Sequence, residues 1–135
     1  MKVGFTGTRE GMSQHQKEQF ALKIYDLNPT EFHHGDCEGA DAEAHDIIRA
    51  IFPNIKIVVH PPKFSSHRAF RVGDEMREPD AYISRDKRIV EETEYLIGAP
   101  LVDKEQIRSG TWTTIRFAKK LNRLYTILHR SAEDV

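Results

Sequence analysis

Three short segments of this chain combine glycine with hydroxyl, basic or acidic side chains in patterns suited to a small anionic ligand. The first is Gly7-Thr8-Arg9-Glu10-Gly11. Glycine permits close backbone approach, while Thr8 and Arg9 offer donors to an anionic group. It is not a Walker loop, because no Gly-Lys-Ser/Thr follows, and not a Gly-x-Gly-x-x-Gly dinucleotide fingerprint. The plain alternative is a turn with a solvated arginine. The second segment is His34-Gly35-Asp36-Cys37-Glu38-Gly39-Ala40-Asp41. Its acids would repel phosphate, whereas a carboxylate in a nucleotide site accepts hydrogen bonds from ribose hydroxyls. Gly35, Asp36, Gly39 and Asp41 are therefore assigned to a sugar, with helix capping as the competing role of Asp41. The third, Arg108-Ser109-Gly110-Thr111-Trp112-Thr113-Thr114, carries no acid. Gly110 is permissive, and Ser109, Thr111 and Thr114 set hydroxyls beside the free N–H groups of a helix start, which is an anion site. A serine N-cap among ordinary surface arginines is the alternative there.

These loops need a frame. Lys2 to Thr6 reads as a strand, and Ser13 with Gln16 is a capping-box signature for a helix carrying Phe20, Ile24 and Leu27 on one face. Asn28-Pro29 ends it. Thr30 to His34 is a second strand, and Ala40 to Phe52 a helix with an apolar stripe of Ala44, Ile47, Ile48 and Ile51. Ile55 to Val59 is a β-branched third strand. Residues 61–80 show no period, and a stretch that long is usually a functional lid or mobile segment. Lys63, His67, Arg68 and Arg71 make its first half basic, which suggests closure over a ligand phosphate. Ala81 to Glu92 is helical, Tyr95 to Ala99 an unbroken apolar strand, Thr111 to Leu121 a helix and Leu124 to Leu128 a last strand. Alternation of strand and helix predicts an α/β, Rossmann-like parallel sheet of about five strands with helices on both faces, one domain over 1–135. Ligands of such sheets bind outside the carboxyl ends of the strands, where the three loops converge.

The composition is compatible with that frame. The chain has 135 residues, a net charge of -1 and 39% hydrophobic residues, so one globular domain is expected. Near-neutral charge lacks the footprint of a nucleic-acid-coating protein. No apolar run approaches the ~18 residues of a membrane span, and the start has no secretory signal, so a cytoplasmic protein is expected. Cys37 is the only cysteine. A packed thiol is its simpler role, and no multi-cysteine metal site can form. His33 and His34 are neighbours on one strand and face opposite ways, so no metal or other cofactor is expected. His60, closing the third strand, is placed to line the ligand pocket. Trp112 is more simply core than a base-stacking surface.

With these segments in hand the chain resembles the SLOG superfamily. The residues that carry the likeness are Gly4 to Arg9, His34 to Asp41, Ser84 to Val90 with Tyr95 to Pro100, and Arg108 to Arg116. That superfamily includes the lonely-guy phosphoribohydrolases and the DNA-processing protein A proteins. The chain most resembles the small bacterial and phage members of the YspA-like kind. The resemblance implies a Rossmann-like fold that binds nucleotides or nucleotide-derived ligands, with phosphate at Gly110, Thr111 and Thr114 and with Gly7, Thr8 and Arg9 lining the same pocket. Two departures bear on function. Thr114 stands where the phosphoribohydrolases have a catalytic glutamate, and Asp86 stands where related chains often have asparagine.

The expected function is binding of a phosphate- and ribose-containing small molecule, as a sensor or sequestering protein. The alternative is a nucleotide N-glycosidase. Its cation-like transition state would use Asp36 or Asp41 as the carboxylate, with Arg85 as a phosphate partner. Nucleic-acid binding ranks third. A homodimer or higher homo-oligomer is expected, with no membrane partner.

Overall fold

The computed structural model describes residues 1–131, and the expected domain span of 1–135 therefore includes residues 132–135, which lie outside the described residues. In chain order the elements are β1 (Lys2–Gly7), α1 (Gln14–Leu27), β2 (Glu31–His34), α2 (Ala40–Ile51), β3 (Lys56–Val59), β4 (Glu75–Met76), α3 (Tyr82–Glu92), β5 (Tyr95–Ala99), α4 (Gly110–Lys120) and β6 (Leu124–Ile127). The strands form one six-stranded sheet in the order β4-β3-β2-β1-β5-β6, with every pairing parallel. Helices α1 and α2 pack together on one face, and α3 and α4 pack together on the other. This is the Rossmann-like architecture that strand–helix alternation predicts, with one strand more than about five.

The extra strand is β4. Two residues at a sheet edge are too few to show a period, so residues 61–80 read as featureless in sequence. Their order comes from backbone and side-chain bonds at specific points. Asp74 N–H donates to Ile57 O and Arg77 N–H to Val59 O, each at 2.8 Å. The Asp74 carboxylate in turn accepts from Ile57 N–H at 2.8 Å.

Side-chain alternation along β1, β2 and β3 separates two cores. Phe5, Phe32, Ile57, Val59 and Ile97 face α1 and α2, where they meet Phe20, Ile24 and Ile48. The rings of Phe5, Phe20 and Phe32 stack at centroid distances of 5.2 to 6.1 Å. Burying one such ring contributes ~1.5–3 kcal/mol. A smaller core of Val90, Leu96, Trp112, Ile115 and Ala118 lies under α3 and α4. Trp112 is buried there with its Nε1–H on Val102 O at 3.1 Å, which settles it as core.

The N-terminus of α1 has the capping box that its sequence announces. Ser13 Oγ accepts from Gln16 N–H, and Gln16 Oε1 accepts from Ser13 N–H. Gln16 also reaches across the molecule, its Nε2 donating to Pro100 O at 2.9 Å and to Leu128 O at 3.0 Å. Asn28, in the left-handed region at φ 46°, closes the helix. No helix among the described residues is long and apolar enough to cross a membrane.

Candidate functional site

Strands β1 and β5 are neighbours, yet the helix after β1 goes to one face and the helix after β5 to the other. Their carboxyl ends are therefore the switch point of the sheet, where α/β folds form a crevice. A cleft of about 350 Å³ opens there. Gly7, Thr8 and Arg9 contribute one wall, Ser109, Gly110 and Thr111 another, and Asp41 and Arg85 the floor, so eight of the expected ligand residues meet in one place.

Local bonding explains how the first two loops come together. Thr8 N–H donates to Ala99 O at 3.1 Å, while Thr8 O accepts from Ala40 N–H at 3.0 Å. Gly39 adopts φ +85°, and a Cβ there would lie 2.2 Å from Arg9 O, so only glycine lets the loops touch. Gly7 needs its bare Cα for contact with Ala40. Arg9 itself is exposed, and among the described residues its guanidinium has no hydrogen-bond or ion-pair partner. At the third loop Ser109 caps α4 by accepting from Trp112 N–H at 3.2 Å, and the space around Gly110 is open. The first N–H groups of α4 thus border the cleft without an internal acceptor.

The floor is a buried charge cluster. Arg85, 5% exposed, donates through Nε to Asp86 Oδ1 at 2.6 Å and through Nη1 to the carbonyls of Gly35 and His60. Asp41 accepts from Cys37 N–H at 3.2 Å through Oδ2, but its buried Oδ1 has no partner. Burial pushes the Asp41 carboxyl up to about 7, against the pull of Arg85 and the Cys37 N–H. Burial likewise raises Asp86, opposed by Arg85 and Thr114. The Cys37 thiol touches Arg85 Nη2 at 3.7 Å, and burial with the nearby Asp41 pushes it up to about 11. It is a packed thiol and not a thiolate nucleophile. Asp86, Tyr82 and Gln106 also line the cleft. Sequence spacing gave no sign of Tyr82 or Gln106, which the α3 start and the 100–109 loop deliver.

Five expected ligand residues stand outside the lining. Asp36, 0% exposed at φ 56°, has its Oδ2 on Arg68 Nε at 2.7 Å and its Oδ1 on Arg71 N–H at 2.8 Å. Its carboxylate is fully engaged in holding the 61–80 segment. Gly35 and Gly39 serve through their backbones, as acceptor for Arg85 and as contact for Arg9. Thr114 lies one turn into α4, bonds Gly110 O at 2.9 Å and borders a smaller adjoining recess with Asp86. His60 turns its ring under the sheet toward α3, and only its carbonyl approaches the site. The basic residues of 61–80 are also turned elsewhere. Arg68 pairs with Asp36, Arg71 with Asp46 at 2.8 Å and His67 with Glu38 at 3.0 Å, so they form a brace and do not reach the cleft.

Adjacent His33 and His34 do face opposite sides, but each meets a second histidine. His34 Nε2 lies 3.0 Å from His45 Nδ1, and His34 Nδ1 accepts from Asp36 N–H at 2.9 Å. On the α3 face His33 Nδ1 lies 2.9 Å from His60 Nε2, with His33 Nε2 on Glu31 Oε1 at 3.0 Å. Glu92 joins this second group, its ligand atom and those of the two histidines all within 4.8 Å of one another. Argument from neighbours on one strand does not reach a cluster assembled from β2, the end of β3 and α3.

No protein-family model matches the chain, and no curated protein matches it in sequence. Solved structures do match in fold. The protein TM1055 superposes with a TM-score of 0.63 at 12% identity, over 92% of this chain and 71% of that one. The molybdenum cofactor binding protein of Rippkaea orientalis gives 0.68 at 16% identity, over 93% and 74%. DNA processing protein A of Streptococcus pneumoniae gives 0.66 at 18% identity, over 93% of this chain and 49% of its own length. At these identities the likeness is one of fold: the chain carries a Rossmann-like fold.

Proposed function

We propose that the chain binds a nucleotide-derived small molecule in the cleft at the β1–β5 switch point, as a cytoplasmic, self-associating sensor or sequestering protein. The observation that carries this reading is the meeting of an unpartnered Arg9, an open α4 N-terminus and a buried acid in one 350 Å³ cleft. Phosphate fits the Gly110–Thr111 N–H groups and Arg9, by charge and by the helix dipole. Ribose hydroxyls fit the free Oδ1 of Asp41.

The test is to incubate the protein with AMP, ADP-ribose and cyclic ADP-ribose, remove unbound ligand, and identify what the denatured protein releases by mass spectrometry. Retention of an intact compound is the expected result. Arg9→Ala and Thr111→Val should each weaken its binding by about tenfold, the loss of one charge-assisted or neutral hydrogen bond. The unfolding free energy of Arg9→Ala should stay within about 0.5 kcal/mol of wild type, as exposed changes do. Unchanged affinity in both variants would remove the cleft assignment. Light scattering on the same sample reads the oligomeric state.

A second reading has one observation in its favour. A carboxyl near pH 7 with a free oxygen in a cleft is suited to position water against a glycosidic bond. Release of a free base in excess over protein, lost in Asp41→Asn, would establish hydrolysis. Asp36, engaged with Arg68 and Arg71, is not the carboxylate this reading uses.

A further inference from the structure

We infer that the space between His33, His60 and Glu92 is a site for one divalent transition-metal ion, separate from the ligand cleft. The argument begins with where the imidazole protons sit. An ionised carboxylate only accepts, so Glu31 Oε1 at 3.0 Å fixes a proton on His33 Nε2 and leaves a lone pair on His33 Nδ1. That lone pair faces His60 Nε2 at 2.9 Å. On the far side of His60, Nδ1 is buried without a hydrogen-bond partner, 4.0 Å from Glu92 Oε2. Glu92 is also an acceptor. If the His60 proton sits on Nδ1, two lone pairs meet between the rings; if it sits on Nε2, a lone pair faces the Glu92 carboxylate. The first arrangement breaks the inter-ring hydrogen bond and the second leaves His60 Nδ1 buried without a donor, and a cation in the cluster resolves both.

Both rings are 1% exposed, and a metal ion binds them as neutral imidazoles through lone pairs such as these. Two nitrogens bound at ~2.0–2.1 Å with an angle of ~90° lie ~2.9 Å apart, the separation the two inner nitrogens already have. The outer nitrogens then face carboxylates, Glu31 behind His33 and Glu92 behind His60, as in carboxylate–histidine–metal arrangements. Glu92 Oε1 is held by Arg77 Nε at 3.1 Å and Nη2 at 2.8 Å, which leaves Oε2 for the cluster. Glu92 is partly exposed, so an ion has a way in and water can complete its coordination. Imidazole with carboxylate selects zinc, copper, nickel or cobalt over magnesium and calcium.

The remaining charges around the cluster are Glu75, Lys56, Arg77, Arg85 and Arg88. Lys56 and Arg77 share Glu75 at 2.5 and 2.6 Å, Arg77 also holds Glu92, Arg85 pairs with Asp86 and Arg88 with Asp80, so each cation is engaged with an acid.

The test uses the full chain, stripped with a chelator, desalted and titrated with zinc chloride. The expected result is one zinc retained per chain after gel filtration, a higher unfolding midpoint, and no shift with magnesium chloride. Glu31→Gln, at a partly exposed position outside the coordination sphere, should weaken zinc binding about 10- to 100-fold. His33→Gln and His60→Gln should abolish it. Should either fold poorly, the visible absorption of cobalt bound to wild type reports the imidazole ligands, and Glu92→Gln, which removes the carboxylate behind His60, should weaken zinc binding as Glu31→Gln does. No zinc retained by wild type, retention unchanged in Glu31→Gln and Glu92→Gln, or binding lost instead in the surface variant His67→Ala would each overturn the inference.

Discussion

The two faces of β2 carry the same motif with opposite electrical results. On the α2 face His34 and His45 meet at 3.0 Å, and on the α3 face His33 and His60 meet at 2.9 Å. What differs is the group behind the first ring. A backbone N–H donates to His34 Nδ1, so a neutral pair satisfies itself with one proton between the rings. Carboxylates stand behind both rings of the second pair, Glu31 on His33 Nε2 and Glu92 4.0 Å from His60 Nδ1, so one proton between the rings leaves His60 Nδ1 buried without a donor. Ring spacing alone therefore says little about a histidine pair. The donor or acceptor character of the outer contacts decides whether it is inert core or a receptor for a cation.

The largest expected effect tests the inert side. Asp36 supplies the N–H that satisfies His34, and its carboxylate holds Arg68 and Arg71 N–H. Asp36→Ala keeps the N–H on His34 but strands the part-buried Arg68 and the Arg71 N–H, and should cost about 3–5 kcal/mol in urea unfolding at ~1.5–3 kcal/mol for each bond to a charged group, while ligand affinity per folded molecule stays unchanged. A loss of affinity with intact stability would return Asp36 to the ligand site.

A smaller effect compares the pairs directly, in chelator-treated protein. His34→Leu leaves Asp36 N–H buried without an acceptor and should cost about 1–3 kcal/mol. His33→Leu removes one ring of a pair whose other ring, His60, keeps a buried nitrogen without a partner, so its cost should be clearly less. Equal losses, or the reverse order, would break the comparison. Zinc should close or reverse the gap, by stabilising His34→Leu and leaving His33→Leu unmoved.

The most graded effect concerns the cleft, because it is spread over pH. The Asp41 carboxyl is raised from 3.8 to about 7, so the native state binds its proton more tightly than the unfolded chain. The stability this contributes is complete below the unfolded value and is lost as pH rises through about 7. Asp41→Asn should therefore be more stable than wild type at pH 8. Its advantage should shrink by up to about 1.4 kcal/mol per pH unit as pH falls from 7 toward 5. Chemical denaturation at pH 5, 6, 7 and 8 measures it, and a difference that does not vary with pH would sink the assignment.

Much of the fold is written locally. The capping box at Ser13 and Gln16, the β-branched run before Val59 and the apolar run Tyr95–Ala99 each carry their own signal, and the longer elements fall within one residue of their expected ends. β4 does not, because a two-residue edge strand is defined by its neighbour β3 and not by its own sequence. The cleft is legible to the same extent. Gly7, Thr8, Arg9 and the Ser109–Thr111 turn follow from where loops of a parallel sheet must lie. Asp36 and His60 sit where expected along the chain but point elsewhere. For His60 the period was available: Val59 shares the α2 face with His34, so the next residue must face α3 with His33. For Asp36 it was not, since a residue at φ 56° between strand and helix follows no period. The basic character of 61–80 likewise names a charge without naming its partner.

Gln16 has a bearing on the order in which the molecule is completed. Its amide joins the first turn of α1 to carbonyls 84 and 112 residues further along the chain. Domains form as the chain is synthesised from the N-terminus, and contacts of such separation close late. The opening helix therefore reaches its final anchorage only after the closing strand has arrived, and hydrogen exchange at the start of α1 should slow in step with the end of β6.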